Sequence, residues 1–103
     1  MSKIPEGSPL GFEWDENKRQ AVLRERRIDF RDAVRIIDGP VLETLARHPV
    51  ETRWIAVGIV DGKEITVVYT VRDGRRRIIT ARRARTHERR EYHAYVIGGG
   101  EAP

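Results

Sequence analysis

Arginine is the residue type through which this chain could do chemistry. It holds seventeen arginines against three lysines. Nine of them fall between Arg72 and Arg90, where only Asp73 and Glu88 oppose them. That segment therefore carries +7, whereas the whole chain carries a formal +4 and its remainder −3. The charge is polarised, not spread evenly. A guanidinium offers a planar fork of donors that matches a phosphate edge and does not lose its proton near neutral pH. An arginine-rich surface on a folded chain is the footprint of something that holds a polyanion, most simply RNA or DNA. The competing reading is a solvated basic face, since blocks of like charge often serve solubility or act as tails.

The elements that must position these arginines read as follows. Asp15 is placed to cap a helix running to Arg26, with Glu16 in its first turn. Asp29 caps a second helix, in which Phe30, Ala33, Val34 and Ile37 share one face before Gly39-Pro40 ends it. The spacing predicts strands over 41–46, 53–60, 63–72 and 75–82. Asp61-Gly62 and Asp73-Gly74 join the last three as two hairpins, because Asp-Gly tolerates the positive φ that tight hairpin turns require. A last helix is expected from His87 to Val96, capped by Thr86, with Tyr92, Tyr95 and Val96 on its inner face. Phe12-Glu13-Trp14 reads as a short extended piece. The fold class is α+β, with two N-terminal helices, an antiparallel sheet of three to four main strands, and a C-terminal helix. Residues 1–11 read as a flexible arm, 12–97 as one domain and 98–103 as a flexible tail.

Two-residue turns fix a register. Arg53 should lie opposite Thr70, and Thr70 opposite Arg77, in one row on one face, with opposed Cβ atoms about 4.5–5.5 Å apart. Two arginines flanking a hydroxyl suit a phosphate better than a core, so the expectation is a single anion-cradling hollow. Trp54, Tyr69 and Ile78 would form the neighbouring row on the other face, a packing row. A one-residue slip would exchange the faces. Arg82 and Arg83 end the last strand pointing to opposite sides, so one of them faces the Arg53–Arg77 surface and the other is free to pair with Glu88 or Glu91. Glu88 is a scaffold salt-bridge partner or a site member, and Tyr92 a core residue or a proton donor. Trp14 and Tyr69 are core anchors or base-stacking platforms. Lys18 should be exposed, and Arg75 extends the basic surface.

Other function classes are excluded or disfavoured. There is no cysteine, and His48, His87 and His93 lack metal-ligand spacing, so no metal or other cofactor is expected. No apolar run is long enough to span a bilayer, and no signal-like segment follows the N-terminus, so a cytoplasmic protein is expected.

Several of these segments resemble a known family. Phe12-Glu13-Trp14-Asp15 with Asn17-Lys18 comes first. Ile28-Asp29-Phe30 with Ala33 and then Val68-Tyr69-Thr70 follow. Last come Arg77-Ile78-Ile79-Thr80-Ala81-Arg82-Arg83-Ala84, Glu88-Arg89 and Tyr92. In this order, over residues 12–96, they resemble the BrnT toxins of type II toxin–antitoxin modules. The resemblance implies a RelE-like fold and a bacterial ribonuclease. It further implies a tight complex with a BrnA-type ribbon-helix-helix antitoxin, with operator DNA contacted only through that complex. Glu25-Arg26-Arg27 departs from the family's usual Lys-His-Gly, so Arg27 must turn the chain without glycine and the family's histidine is missing.

RNA brings its own nucleophile, the 2′-OH, so positioned arginines can supply the electrostatic part of a metal-independent cleavage. The candidate catalytic residues are Arg53, Arg77, Arg82, Glu88 and Tyr92. The candidate RNA contacts are Trp14, Lys18, Tyr69, Thr70, Arg75 and Arg83. No general base stands out. The alternative is a module that binds nucleic acid without cutting it.

Overall fold

The computed structural model describes residues 11–99. Most of the expected arm and tail lies outside the described residues. Strand β1 (Phe12–Trp14) leads into helix α1 (Glu16–Arg26). A single turn of helix, α2 (Phe30–Ala33), tightens into a 3₁₀ turn over Val34–Asp38. Strands β2 (Leu42–Arg47), β3 (Thr52–Val60), β4 (Lys63–Arg72) and β5 (Arg75–Arg83) follow, and helix α3 (Thr86–Ile97) closes the chain.

All five strands form one sheet in the order β1-β5-β4-β3-β2. The expected antiparallel sheet is therefore a mixed one, because β1 joins β5 in parallel, with Glu13 beside Arg77. The two hairpins form as their sequences require. Asp61 and Gly62 have φ of 52° and 77°, and Asp73 and Gly74 have 53° and 75°. Trp54 pairs with Tyr69, Tyr69 with Ile78 and Thr70 with Arg77, so the predicted register holds up to this point.

It then shifts. Val68 faces Thr80, which leaves Ile79 as the extra residue of a β-bulge in β5. Beyond the bulge Thr66 faces Arg82 and Ile65 faces Arg83. A bulge exchanges the two sides of a strand. Arg82 is thereby turned onto the face that carries Arg77, and Arg83 onto the opposite one.

That opposite face carries the main core. Phe12, Trp14, Val67, Tyr69, Ile78 and Ala81 pack there against Val22 of α1 and Phe30, Val34 and Ile36. Gly58 allows the 3₁₀ turn to touch β3, since a Cβ there would lie 2.6 Å from the Ile36 Cβ. Buried Arg19 donates to Glu16 and, at 3.0 Å, to Asp29, which fixes the corner between α1 and α2. Asp15 and Asp29 cap their helices through their side chains, as expected.

Arg27 solves the missing-glycine problem by adopting the left-handed conformation itself (φ 59°, ψ 32°), with its N–H donating to the Leu23 carbonyl. A side-chain-bearing residue there costs about 1–2 kcal/mol, against the extra entropy that glycine loses on folding, roughly 0.5–1 kcal/mol. Arg27→Gly should therefore stabilise the protein by up to about 1 kcal/mol, read as a higher urea midpoint with an unchanged m-value.

Helix α3 packs on the other side of the sheet. Tyr92 meets Val57, Ala84 and Leu42 in a second, smaller cluster. Its N-cap is Arg85, one residue before the expected Thr86, because the Glu88 carboxylate accepts from the Arg85 N–H at 2.8 Å. Val96 is exposed, not inward-facing.

Candidate nucleic-acid interface

The face that α3 covers only at one end carries the arginines. Side-chain alternation from the buried Tyr69 places Thr70 on this face, and the ladders place Arg77 and then Glu13 beside it. Arg53, next to the core-facing Trp54, falls on the same side of β3. A row Glu13–Arg77–Thr70–Arg53 thus crosses four strands. The Thr70 hydroxyl is buried and donates to the Thr52 carbonyl at 2.7 Å, so it braces β4 against β3.

Each arginine of this face has a carboxylate partner. Arg77 Nη1 lies 3.5 Å from Glu13 Oε2, and Arg75 Nη1 lies 3.6 Å from Glu13 Oε1. Arg53 Nε donates to Glu51 at 3.1 Å, and Arg72 reaches the other Glu51 oxygen at 3.9 Å. Such part-exposed pairs, at 3.1–3.9 Å, contribute little to stability. They leave the guanidinium faces available to an anion that binds more tightly than the carboxylate.

Arg82 is held differently. Its Nη1 and Nη2 donate to the two Glu88 oxygens at 2.7 and 2.9 Å. Glu88 also accepts from the Thr66 hydroxyl at 3.0 Å and from the Arg85 N–H. The Arg82 guanidinium holds the Glu88 carboxyl down at about 2 from an ordinary 4.5. The pair is largely buried and saturated, and it ties β4, β5 and α3 together. Thr66 and Thr70 are four residues apart on β4, about 13 Å at 3.3 Å per residue. The expected single hollow gathering Arg53, Arg77 and Arg82 is therefore corrected. An open row of loosely paired arginines occupies one end of the face, and a closed ion pair the other.

Five further candidates lie off the row. Trp14 and Tyr69 sit in the core on the far side of the sheet. Trp14 is edge-on to Phe30, and the Tyr69 hydroxyl donates to Glu43 at 2.7 Å. Burial, with Glu43 beside it, raises the Tyr69 pKa to about 12. Neither ring is open to a base. Arg83 lines a pocket of about 210 Å³ on that same far side, together with Arg26, Arg27, Lys63 and the apolar Ile28 and Ile65. Tyr92 is buried beneath α3, where its hydroxyl donates to the Pro40 carbonyl at 2.9 Å and burial raises its pKa. It packs against Val57 and Ala84 and lies off the open row. Lys18 is exposed on α1, and Arg75 lies beside the row.

Sequence reasoning missed Glu13 and Glu51. Glu13 left a signal, since it sits between two core aromatics and must point away from the core. Arg26 donates to Thr80 Oγ1 at 3.0 Å and to the Ala81 carbonyl at 3.1 Å, next to the bulge. Among the described residues no group of three His, Cys, Asp or Glu side chains could hold a metal ion, and no helix is long and apolar enough to cross a membrane.

The family model for the ribonuclease toxin BrnT of type II toxin–antitoxin systems matches residues 14–88. The chain belongs to the BrnT family. No match was found among curated proteins. Membership makes the chain the ribonuclease toxin of a toxin–antitoxin module, with RNA as substrate and an antitoxin as partner. The matched span holds Arg53, Thr70, Arg77, Arg82 and Glu88. Glu13 and Tyr92 lie outside it.

Proposed function

We propose that this BrnT protein is a metal-independent endoribonuclease of the bacterial cytoplasm that cuts RNA through its own 2′-OH and is neutralised by a BrnA-type ribbon-helix-helix antitoxin. Operator DNA is then contacted only through the toxin–antitoxin complex. One observation carries the catalytic reading. Arg53 and Arg77 lie one on each side of Thr70, on an open sheet face, each held by a single part-exposed carboxylate, Glu51 at 3.1 Å and Glu13 at 3.5 Å.

In this reading a backbone phosphate enters the row and displaces Glu13 and Glu51 from the guanidinium groups. Arg53 and Arg77 grip its non-bridging oxygens. As the 2′-oxygen attacks, negative charge grows on those oxygens, and fixed cations there lower the barrier. Arg72 and Arg75 guide the flanking backbone. Arg82 and Glu88 position β5 and α3, and Tyr92 packs α3 down. Trp14, Tyr69 and Arg83 take no part in the row.

The test is incubation of the purified protein with total RNA in EDTA. Cleavage to fragments with 2′,3′-cyclic phosphate ends is expected. Intact RNA with a retained gel shift would favour a non-catalytic binding module instead. Binding to single-stranded RNA should weaken with salt, with a log–log slope of about −0.7 per phosphate contacted. Expression should be toxic, and co-expression of an adjacent ribbon-helix-helix gene should relieve the toxicity.

A further inference from the structure

The ribonuclease reading leaves one atom unassigned, the acceptor for the 2′-OH proton. We propose that Glu13 is that acceptor, a catalytic residue of the row; this rests on the ribonuclease reading. Glu13 stands at the end of the Glu13–Arg77–Thr70–Arg53 row, beside the arginine that would hold the phosphate. Its side chain is 14% exposed, so it is partly shielded yet reachable, and Arg77 next to it is 32% exposed.

The alternative is that Glu13 merely clamps β1 to β5. The distances speak against this. A carboxylate used as a clamp makes charge-assisted hydrogen bonds of about 2.7–2.9 Å. Glu88 does so, with Arg82 at 2.7 and 2.9 Å and two further donors. Glu13 stands 3.5 and 3.6 Å from its arginines. The parallel ladder already joins β1 to β5 through backbone hydrogen bonds. Glu13 thus keeps lone pairs free, where Glu88 already accepts four hydrogen bonds.

When the phosphate takes Arg77, the Glu13 carboxylate turns to the neighbouring 2′-OH and accepts its proton. The 2′-oxygen forms a bond to phosphorus, and the bond from phosphorus to the 5′-oxygen breaks. The 5′-oxygen leaves with a proton from water. The hydroxide so formed takes the proton from Glu13, which returns to its carboxylate. The products are a 2′,3′-cyclic phosphate and a 5′-hydroxyl.

The experiment compares the native full-length protein, Glu13→Gln and Glu13→Asp on a fluorophore–quencher RNA of mixed sequence in EDTA, over a range of pH. Each protein's melting temperature and RNA affinity are measured in parallel. Glu13→Gln should lose at least about 100-fold in kcat, the usual lower bound for a general base. Its RNA affinity should be unchanged or tighter, because the carboxylate no longer competes for Arg77. The acid limb of the native pH–rate profile should flatten. Glu13→Asp should keep that limb at reduced rate. A Glu13→Gln protein that cuts as fast as the native one, or keeps the native acid limb, overturns the role of Glu13 alone. If Glu13→Gln fails to fold, Glu13→Asp decides: a native rate with a native profile overturns the proposal, and a slower rate with the limb retained supports it. If the native protein leaves RNA intact, the ribonuclease reading falls and the role of Glu13 falls with it.

Discussion

Glu88→Ala is expected to destabilise the protein by about 3 kcal/mol or more, the usual cost of breaking a buried ion pair from one side. In a domain of this size that is a fall in melting temperature of roughly 12–24 °C. The loss has three parts. Arg82, only 18% exposed, keeps its charge and loses both its carboxylate acceptors. The Thr66 hydroxyl, fully buried, loses its acceptor. The Arg85 N–H at the start of α3 loses its cap. Urea denaturation of Glu88→Ala, Arg82→Met and the double variant Arg82→Met with Glu88→Leu checks this. The double variant should recover part of the loss, since it leaves no buried charge without a partner. A Glu88→Ala protein as stable as the native one would mean that the α3 contact contributes nothing.

The same carboxylate gives the fold an acid limit. Glu88 titrates at about 2 when folded, against 4.5 ordinarily. A depressed folded pKa means that the unfolded chain binds the proton more readily. The stabilisation from Glu88 is therefore complete above about pH 4.5 and is lost as the pH falls from there through 2. This acid loss should be missing from the Arg82→Met, Glu88→Leu double variant, which has no carboxylate to protonate at that position.

Much of the sheet could be read from the chain, for local reasons. Asp61-Gly62 and Asp73-Gly74 dictate tight turns, and a two-residue turn dictates the pairing of Trp54 with Tyr69 and Thr70 with Arg77. Asp15 and Asp29 announce the first two helices in the same way. What escaped depends on contacts distant in sequence. The pairing of β1 with β5 links Glu13 to Arg77 across 64 residues, and a three-residue strand has too little pattern to show it. The bulge at Ile79 lies in a run, Ile78-Ile79-Thr80, with no glycine or proline to mark it. Yet that one residue decides that Arg82 and not Arg83 shares the face of Arg77. Trp14 and Tyr69 read as core or base platform from sequence, and both rings are buried on the helix-covered face. The loosely paired and saturated arginines could not be told apart from composition, because the difference lies in which carboxylate each meets in space.

That difference separates Arg77 from Arg82 in a way that mutation can read. Arg77→Ala should lower RNA cleavage by about 100- to 1000-fold, the scale on which removal of one preorganised transition-state contact acts. Its stability should change by less than about 1 kcal/mol, because the contact it loses is a 3.5 Å, part-exposed pair with Glu13. Glu13 retains Arg75 at 3.6 Å, so no buried charge is stranded. The salt slope of RNA binding should become shallower by about 0.7, one phosphate contact fewer. Arg82→Ala should behave in the opposite order. It strands the buried Glu88 carboxylate and should cost about 3–5 kcal/mol, so its lost activity should track the unfolded fraction and return on cooling or with a stabilising osmolyte. Cleavage assays run beside thermal melts for both variants separate the two cases. A stable, inactive Arg82→Ala together with an active Arg77→Ala would move the catalytic centre from the open row to the α3 end of the sheet.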